Sequence, residues 1–161
     1  MKSFFDTSVL VATSVEGHEH HERSFALFID ADRKTACCAA HSLAELYATL
    51  TLLPGKFRLS ADQAMLFLDS VEERLEVISL DPREYRLAIR EAATAGIVGG
   101  TIYDALLGRC ALKARATRIY TWDVGDFQRL STEIAEKVRT PSALSAARPA
   151  DIRARARCRM G

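Results

Sequence analysis

Short apolar runs alternate along the chain with longer segments that have the 3.6-residue periodicity of helices. The apolar runs predict β-strands at 2–5, 35–39, 77–80 and 118–121, with a weak last strand near 137–140. The longer segments predict helices at 7–14, 18–32, 41–53, from Ser60 to about 74, 82–95 and 101–116, and a short one from about 124. Strands and helices therefore alternate along the chain.

This alternation favours an α/β fold with parallel strand pairing and right-handed crossovers. We expect a three-layer α/β/α architecture around a mostly parallel central sheet of four to five strands. In open sheets of this kind the ligand site lies at the carboxyl ends of the strands. A chain of 161 residues fits one domain with a sizeable core. We assign it to residues 1–147, followed by an Arg-rich tail at 148–161.

Bulk charge separates the tail from the body but excludes no class of partner. The whole chain has a formal net charge of +1, and its last fourteen residues contain five arginines against Asp151 alone. A mildly acidic body thus precedes a basic tail. The tail could bind RNA phosphates, dock on a partner or be disordered.

The four cysteines do not form a disulfide pattern. Cys37 and Cys38 are adjacent in a predicted strand, so their side chains point to opposite faces of the sheet. Buried free thiols in a reducing cytosol are the simplest interpretation.

The chain has neither an apolar stretch of signal-peptide type nor an apolar run long enough to cross a membrane, so we expect a cytoplasmic protein without membrane contact.

Four acids stand where predicted strands end or where helices face strand ends: Asp6, Glu45, Asp104 and Asp123. In a parallel sheet these side chains can meet at one edge, where their mutual repulsion favours a bound cation. Each acid also has an ordinary structural explanation. Asp6 and Asp123 could cap helices, Asp104 completes a capping-box spacing with Thr101, and Glu45 could be a solvated helix charge.

The residues around these acids form four motifs in order along the chain. They are Phe4-Phe5-Asp6-Thr7-Ser8, His41-Ser-Leu-Ala-Glu45-Leu, Thr101-Ile-Tyr-Asp104-Ala-Leu-Leu and Ile119-Tyr-Thr121-Trp-Asp123-Val-Gly-Asp126-Phe127. In order and spacing the motifs resemble those of PIN-domain ribonucleases, over roughly residues 1–140. A small single-domain chain of this kind most resembles the VapC-type toxins of bacterial toxin–antitoxin pairs.

The resemblance implies a metal-dependent endoribonuclease with a PIN-like fold. Its Mg²⁺ or Mn²⁺ ligands would be Asp6, Asp104 and Asp123, with Glu45 binding directly or through water. Asp126 precedes Phe127 in the fourth motif and could exchange roles with Asp123, although the spacing from Thr121 favours Asp123. Supporting hydrogen bonds would come from three hydroxyl residues: Thr7, Ser8 and Thr121.

The resemblance also implies partners. RNA would be the substrate, a cognate antitoxin the inhibitor, and a homodimer the expected assembly. Four basic residues near the third and fourth acids in sequence are candidate contacts to RNA: Arg109, Lys113, Arg115 and Arg118. Leu46, Leu50 and Leu53, with Phe25 and Phe28, could line a groove for the antitoxin, although core packing explains them equally well. The alternative function is a catalytically silent RNA- or protein-binding module.

The histidine-rich segment His18-Glu-His20-His21 resembles a metal patch only superficially. On a helix His18 and His21 share a face, but His20 points elsewhere. We interpret the segment as a solvated helix start. The glycines at 96, 99 and 100 lack the following Gly-Lys-Ser/Thr of a phosphate loop, and no dinucleotide-binding glycine motif occurs.

Overall fold

The computed structural model describes residues 1–142. Cys158, the boundary at 147 and the Arg-rich tail lie outside these residues, so those expectations stay predictions.

Five short strands form a single sheet in the described part of the chain. They are β1 (Ser3–Phe5), β2 (Ala36–Ala39), β3 (Glu76–Ile78), β4 (Arg118–Tyr120) and β5 (Val138–Arg139). Their order across the sheet is β3-β2-β1-β4-β5, and every pairing is parallel. The α/β prediction is therefore confirmed, including the weak last strand. Asp6 follows β1, the central strand, and lies in the middle of the carboxyl edge.

Helices cover both faces of this sheet. They are α1 (Thr7–Ser14), α2 (His21–Ile29), α3 (Ala40–Leu52), α4 (Ala61–Arg74), α5 (Pro82–Thr94), α6 (Thr101–Lys113), α7 (Val124–Gln128) and α8 (Thr132–Ala135), with a 3₁₀ turn at Gly55–Phe57. The helix α8 and the 3₁₀ turn were not predicted. Capping boxes start α4 at Ser60 and α5 at Asp81, as the sequence indicates.

Two predicted helices are shorter than expected. The predicted helix 18–32 begins only at His21 and ends at Ile29, because Gly17 adopts a positive φ and Asp32 accepts hydrogen bonds from the backbone N–H groups of Lys34 and Thr35. The predicted helix 101–116 ends at Lys113, since Arg115 takes a left-handed conformation with φ 54°.

Each face of the sheet has its own apolar core. Leu10, Leu46 and Leu50 pack on one face, and Leu107 and Ile119 on the other. The adjacent cysteines divide between them: Cys38 belongs to the first core and Cys37 to the second. The predicted three-layer arrangement is confirmed.

The described cysteines are free and buried, as expected. Burial raises the pKa of Cys37 and of Cys38 to about 12 and that of Cys110 to about 11, so these thiols stay protonated.

The proposed antitoxin groove needs correction. Leu46, Leu50 and Phe28 are core residues and are not available to a partner, whereas Leu53 is partly buried and Phe25 is exposed. Larger exposed apolar side chains on α3 and α4 are Leu52 and Leu66, which are 78% and 67% exposed. No helix within residues 1–142 has the length and apolar character needed to cross a membrane.

Candidate active site

Asp6 is a buried carboxylate at the centre of the carboxyl edge. It follows β1 and caps α1, and only 3% of its surface is exposed. Its Oδ2 atom accepts hydrogen bonds from the Ser8 hydroxyl at 2.6 Å, the Thr121 hydroxyl at 2.8 Å and the Ser8 backbone N–H at 3.3 Å. Burial raises the pKa of Asp6, and the two hydroxyls oppose this effect.

The same two hydroxyls connect β1 to the end of β4. The Trp122 backbone N–H donates to the Ser8 hydroxyl at 3.0 Å, and the Asp123 N–H donates to the Thr121 hydroxyl at 2.9 Å. Each hydroxyl thus accepts one hydrogen bond from the segment after β4 and donates one to Asp6. This network fixes the positions of Asp6 and of the Asp123 backbone relative to each other.

Glu45 faces the site from α3. The Thr7 hydroxyl donates a 2.7 Å hydrogen bond to Glu45 Oε2, so residue 7 orients the second acid while residue 8 orients the first. His41 lies one turn earlier on α3, with its Nε2 3.8 Å from Glu45 Oε1. All three hydroxyl residues predicted to support the carboxylates therefore do contact them.

The Asp104 carboxyl group has a strongly raised pKa. It lies in the first turn of α6, and its pKa is raised to about 7, mainly by burial and then by the charges of Asp6, Asp126, Glu45 and Asp123. A carboxyl group perturbed by several others at a strand edge is typical of a functional site.

Asp123 and Asp126 differ in their surroundings. Asp123 lies at the start of α7 without a side-chain capping bond and lines the same pocket as the other three acids. Asp126 pairs with Arg129 at 2.7 Å and is not part of that lining. The geometry therefore favours Asp123 as the fourth pocket acid. Asp126 lies outside the lining, but its charge also raises the pKa of Asp104.

One open pocket of about 560 Å³ contains the four predicted acids. Its lining also includes His18, Glu19, His20 and Trp122, and within the described range no lysine or arginine lines it. Across residues 1–142, no three side chains of metal-binding type are close enough to form a ready-made metal cage. The four acids line one pocket, and the charges of the other three raise the pKa of Asp104. They are nevertheless spaced around the pocket.

The histidine segment lies at the start of α2, as predicted, but its side chains are not simply solvated. His18 and His20 precede α2 and line the pocket, and the His20 ring stacks on Trp122 at 3.7 Å between centroids. His21 contacts the Ala12 carbonyl oxygen through its ring. Trp122 and His20 are among the pocket residues that sequence reasoning missed, together with His18 and Glu19. Only the position of Trp122 beside Asp123 hinted at a role.

The four basic residues proposed to contact RNA do not gather at this pocket. Arg109 pairs with Glu91 at 3.8 Å, and Lys113 pairs with Glu84 at 2.6 Å. Lys113 ends α6, about 14 Å along the helix from Asp104, and Arg118 begins β4, whereas the acids lie beyond its end. Arg115, between α6 and β4, lies at that same far edge. RNA contact by these residues stays a prediction, and for Lys113, Arg115 and Arg118 it would involve a surface remote from the acids.

Comparison with known proteins agrees with this geometry. The family model for the PIN domain matches residues 3–133. Ribonuclease VapC40 of Mycobacterium tuberculosis is 33% identical over 132 residues, which cover 80% of this chain and 94% of VapC40.

Solved structures show the same fold. The crystal structure of Mycobacterium tuberculosis VapC20, described as a sarcin–ricin loop cleaving toxin, has a TM-score of 0.64 at 16% identity and covers 78% of this chain and 92% of VapC20. Rickettsia felis VapBC2 bound to a promoter DNA fragment gives 0.60 at 19% identity, covering 87% and 98%. With the family match and the VapC40 relationship, these findings show that the chain belongs to the PIN-domain family, among the VapC ribonucleases.

Proposed function

We propose that this protein is a divalent-metal-dependent endoribonuclease and the toxin of a toxin–antitoxin pair. The observation that carries the proposal is the acidic pocket, which is lined by Asp6, Glu45, Asp104 and Asp123 and, among the described residues, by no lysine or arginine. A phosphodiester would be repelled from such a pocket unless a cation offset the charge.

The donor set fits Mg²⁺ or Mn²⁺. Carboxylate oxygens suit both ions, and Mg²⁺ usually keeps several waters and uses only one or two protein carboxylates. Acids spaced around an open pocket, without a closed cage in the described residues, fit that mode of binding. The chemistry supplied by such an ion is activation of a water molecule and neutralisation of charge at the phosphate.

The chain's own residues would have distinct tasks. Asp6, fixed by Ser8 and Thr121, would offer one defined oxygen to the ion. Glu45, oriented by Thr7, would bind the ion or one of its waters. Asp104, whose pKa is raised by burial and then by the neighbouring acids, would lose its proton more readily when a cation is bound, because the cation offsets the surrounding negative charge. Asp123, in preference to Asp126, would be the fourth acid to bind the ion directly or through one of its waters.

The partners of the proposed toxin are its RNA substrate and a cognate antitoxin. Leu46 and Leu50 are buried, so they cannot contact the antitoxin through the groove first predicted. Co-expression with the protein of the adjacent reading frame should yield a stable complex with reduced nuclease activity.

Homodimerisation stays part of the proposal, and size-exclusion chromatography with light scattering tests it.

A cleavage assay tests the catalytic proposal. The purified protein should cut cellular RNA with Mg²⁺ or Mn²⁺, and both EDTA and Asp6→Asn should abolish cutting. Asp69→Asn, an exposed acid on α4, is the matched control and should retain full activity. Cleavage that survives EDTA and Asp6→Asn would refute the metallonuclease. A folded wild-type protein that binds RNA without cutting it would favour the silent binding module.

A further inference from the structure

One pair of stacked rings lines the acidic pocket, and a second pair adjoins two of its acids. In the first pair, the His20 ring lies on Trp122 at 3.7 Å between centroids and 12° between planes. In the second pair, the His41 ring lies on Tyr103 at 5.2 Å and 13°. We call them the tryptophan stack and the tyrosine stack. Neither has a role in the proposed hydrolysis.

Both stacks adjoin the proposed ligands directly. Trp122 and His20 line the pocket itself, and Trp122 precedes Asp123 in the chain. Tyr103 precedes Asp104, and His41 approaches Glu45. Each stack therefore contains a residue that directly precedes a pocket acid in the chain.

The strand order separates the two stacks along the sheet edge. His41 follows β2 and Trp122 follows β4, and these strands are the two neighbours of β1. Asp6 follows β1 and so lies between them. Two strand spacings separate β2 from β4, which is about 10 Å. An extended polynucleotide laid along this edge would meet a stack on each side of the central carboxylate.

We propose that the two stacks are platforms for unpaired bases on either side of the scissile phosphate. The inference rests on the proposed nuclease function and assigns the two stacks to contacts with the bases of its RNA substrate. Bases in a duplex are stacked on one another and are not free to lie on protein rings.

Ring support and exposure favour this role over a purely structural one. The Trp122 indole N–H donates to the buried Ser24 hydroxyl at 2.9 Å, which fixes the plane of the ring. Tyr103 is 49% exposed, and the His20 side chain is 30% exposed, so a base can reach both stacks. Aromatic stacking also supplies affinity that the acidic pocket cannot supply through phosphate contacts.

Binding of strands with and without bases tests the proposal. The probes are a fluorescein-labelled 12-nucleotide oligoadenylate, an abasic ribose-phosphate strand of equal length and a 12-base-pair RNA duplex. Ca²⁺ is added to offset the acidic charge. The wild-type protein should bind oligoadenylate at least about tenfold more tightly than the other two probes. Oligoadenylate should also change the fluorescence of Trp122, the chain's single tryptophan.

Variants assign the effect to the rings. His20→Ala and Tyr103→Ala should each weaken oligoadenylate binding about tenfold and leave abasic-strand binding within twofold. His20→Phe and Tyr103→Phe keep a ring and should restore binding, which separates stacking from a histidine–phosphate contact. Tyr85→Ala, an exposed tyrosine on α5, is the control and should bind like the wild type.

Several results would overturn the stacking proposal. Equal losses on oligoadenylate and the abasic strand would do so, as would equal wild-type affinity for these two probes. Loss of antitoxin binding with unchanged RNA binding would assign the rings to a protein partner instead. Because Tyr103 is half exposed, its variants keep the test valid even if those of His20 fail to fold. A wild-type protein that neither binds nor cuts any RNA would refute the proposed function itself.

Discussion

The Thr121 hydroxyl, just after β4, donates a 2.8 Å hydrogen bond to the carboxylate of Asp6, just after the neighbouring strand β1. Thr121 is fully buried, and the same oxygen accepts the Asp123 backbone N–H. One hydroxyl thus holds one proposed ligand and the backbone of another. The arrangement makes Thr121 a residue whose removal affects both stability and activity.

Thr121→Val keeps the shape of the side chain and removes both hydrogen bonds. We expect a loss of about 1–3 kcal/mol in the free energy of unfolding, because a buried carboxylate and a backbone N–H lose a partner. Urea denaturation measures the loss. Thr117→Val, at an exposed threonine, is the control and should stay within about 0.5 kcal/mol of the wild type. Equal effects of the two variants would contradict the buried network.

Asp104→Asn should separate stability from activity. The variant should lose more than about a hundredfold in Mg²⁺-dependent cleavage, beyond the usual cost of removing a supporting partner. Without metal at pH 8 it should be at least as stable as the wild type, because one of several repelling charges is gone. Thermal unfolding and RNA cleavage of the same preparation measure both. A destabilised metal-free variant would argue that Asp104 has a structural role.

The raised pKa of Asp104 predicts the pH dependence of stability. Its folded pKa of about 7 lies above the ordinary value of 3.8, so folding favours the protonated form. This stabilisation is complete below about pH 4 and is lost as the pH rises through 7. The melting temperature of the metal-free wild type should therefore fall between pH 5 and pH 8 relative to that of Asp104→Asn. Saturating Mg²⁺ should remove the difference, and parallel curves without metal would contradict the prediction.

Activity should follow the opposite trend. At limiting Mg²⁺, cleavage should decline as the pH falls below about 7, because protons compete with the ion for Asp104. Raising the Mg²⁺ concentration should shift the midpoint to lower pH. Initial rates across a grid of pH and Mg²⁺ concentration test this competition. A midpoint that does not move with Mg²⁺ would show that another group controls the decline.

Thr7 and Glu45 should behave as one unit. The 2.7 Å hydrogen bond orients Glu45, so Thr7→Val should reduce cleavage by about tenfold. Adding Thr7→Val to Glu45→Gln should cost much less than it does in the wild type, because the oriented carboxylate is already gone. A double-mutant cycle on kcat/KM measures the coupling. Additive losses would mean that Thr7 acts elsewhere, for instance only on α1.

The sequence predicted the parts of the site that depend on strand ends. Asp6 and Asp123 follow apolar strands, and parallel pairing alone brings such positions to one edge. The choice between Asp123 and Asp126 needed the structure, because the Arg129 pairing that draws Asp126 aside depends on side-chain geometry. His20 was missed because its position comes from a stack on Trp122, a contact between distant segments that no local periodicity encodes.

Helix ends show the same limit. The start of α5 was predicted correctly because Asp81 and Pro82 are strong local signals. The end of α6 was placed too late because Arg115, not a glycine, adopts the left-handed conformation that terminates it. Composition gives no warning of such a stop.

The central position of β1 has a consequence during synthesis of the chain. This strand is translated before both of its neighbours, and one of them, β4, begins only at Arg118. A growing polypeptide therefore emerges from the ribosome with its acidic pocket incomplete. The pocket is completed only when most of the domain has been translated. The order of the strands therefore postpones assembly of the proposed metal site until its last acid, Asp123, has been synthesised.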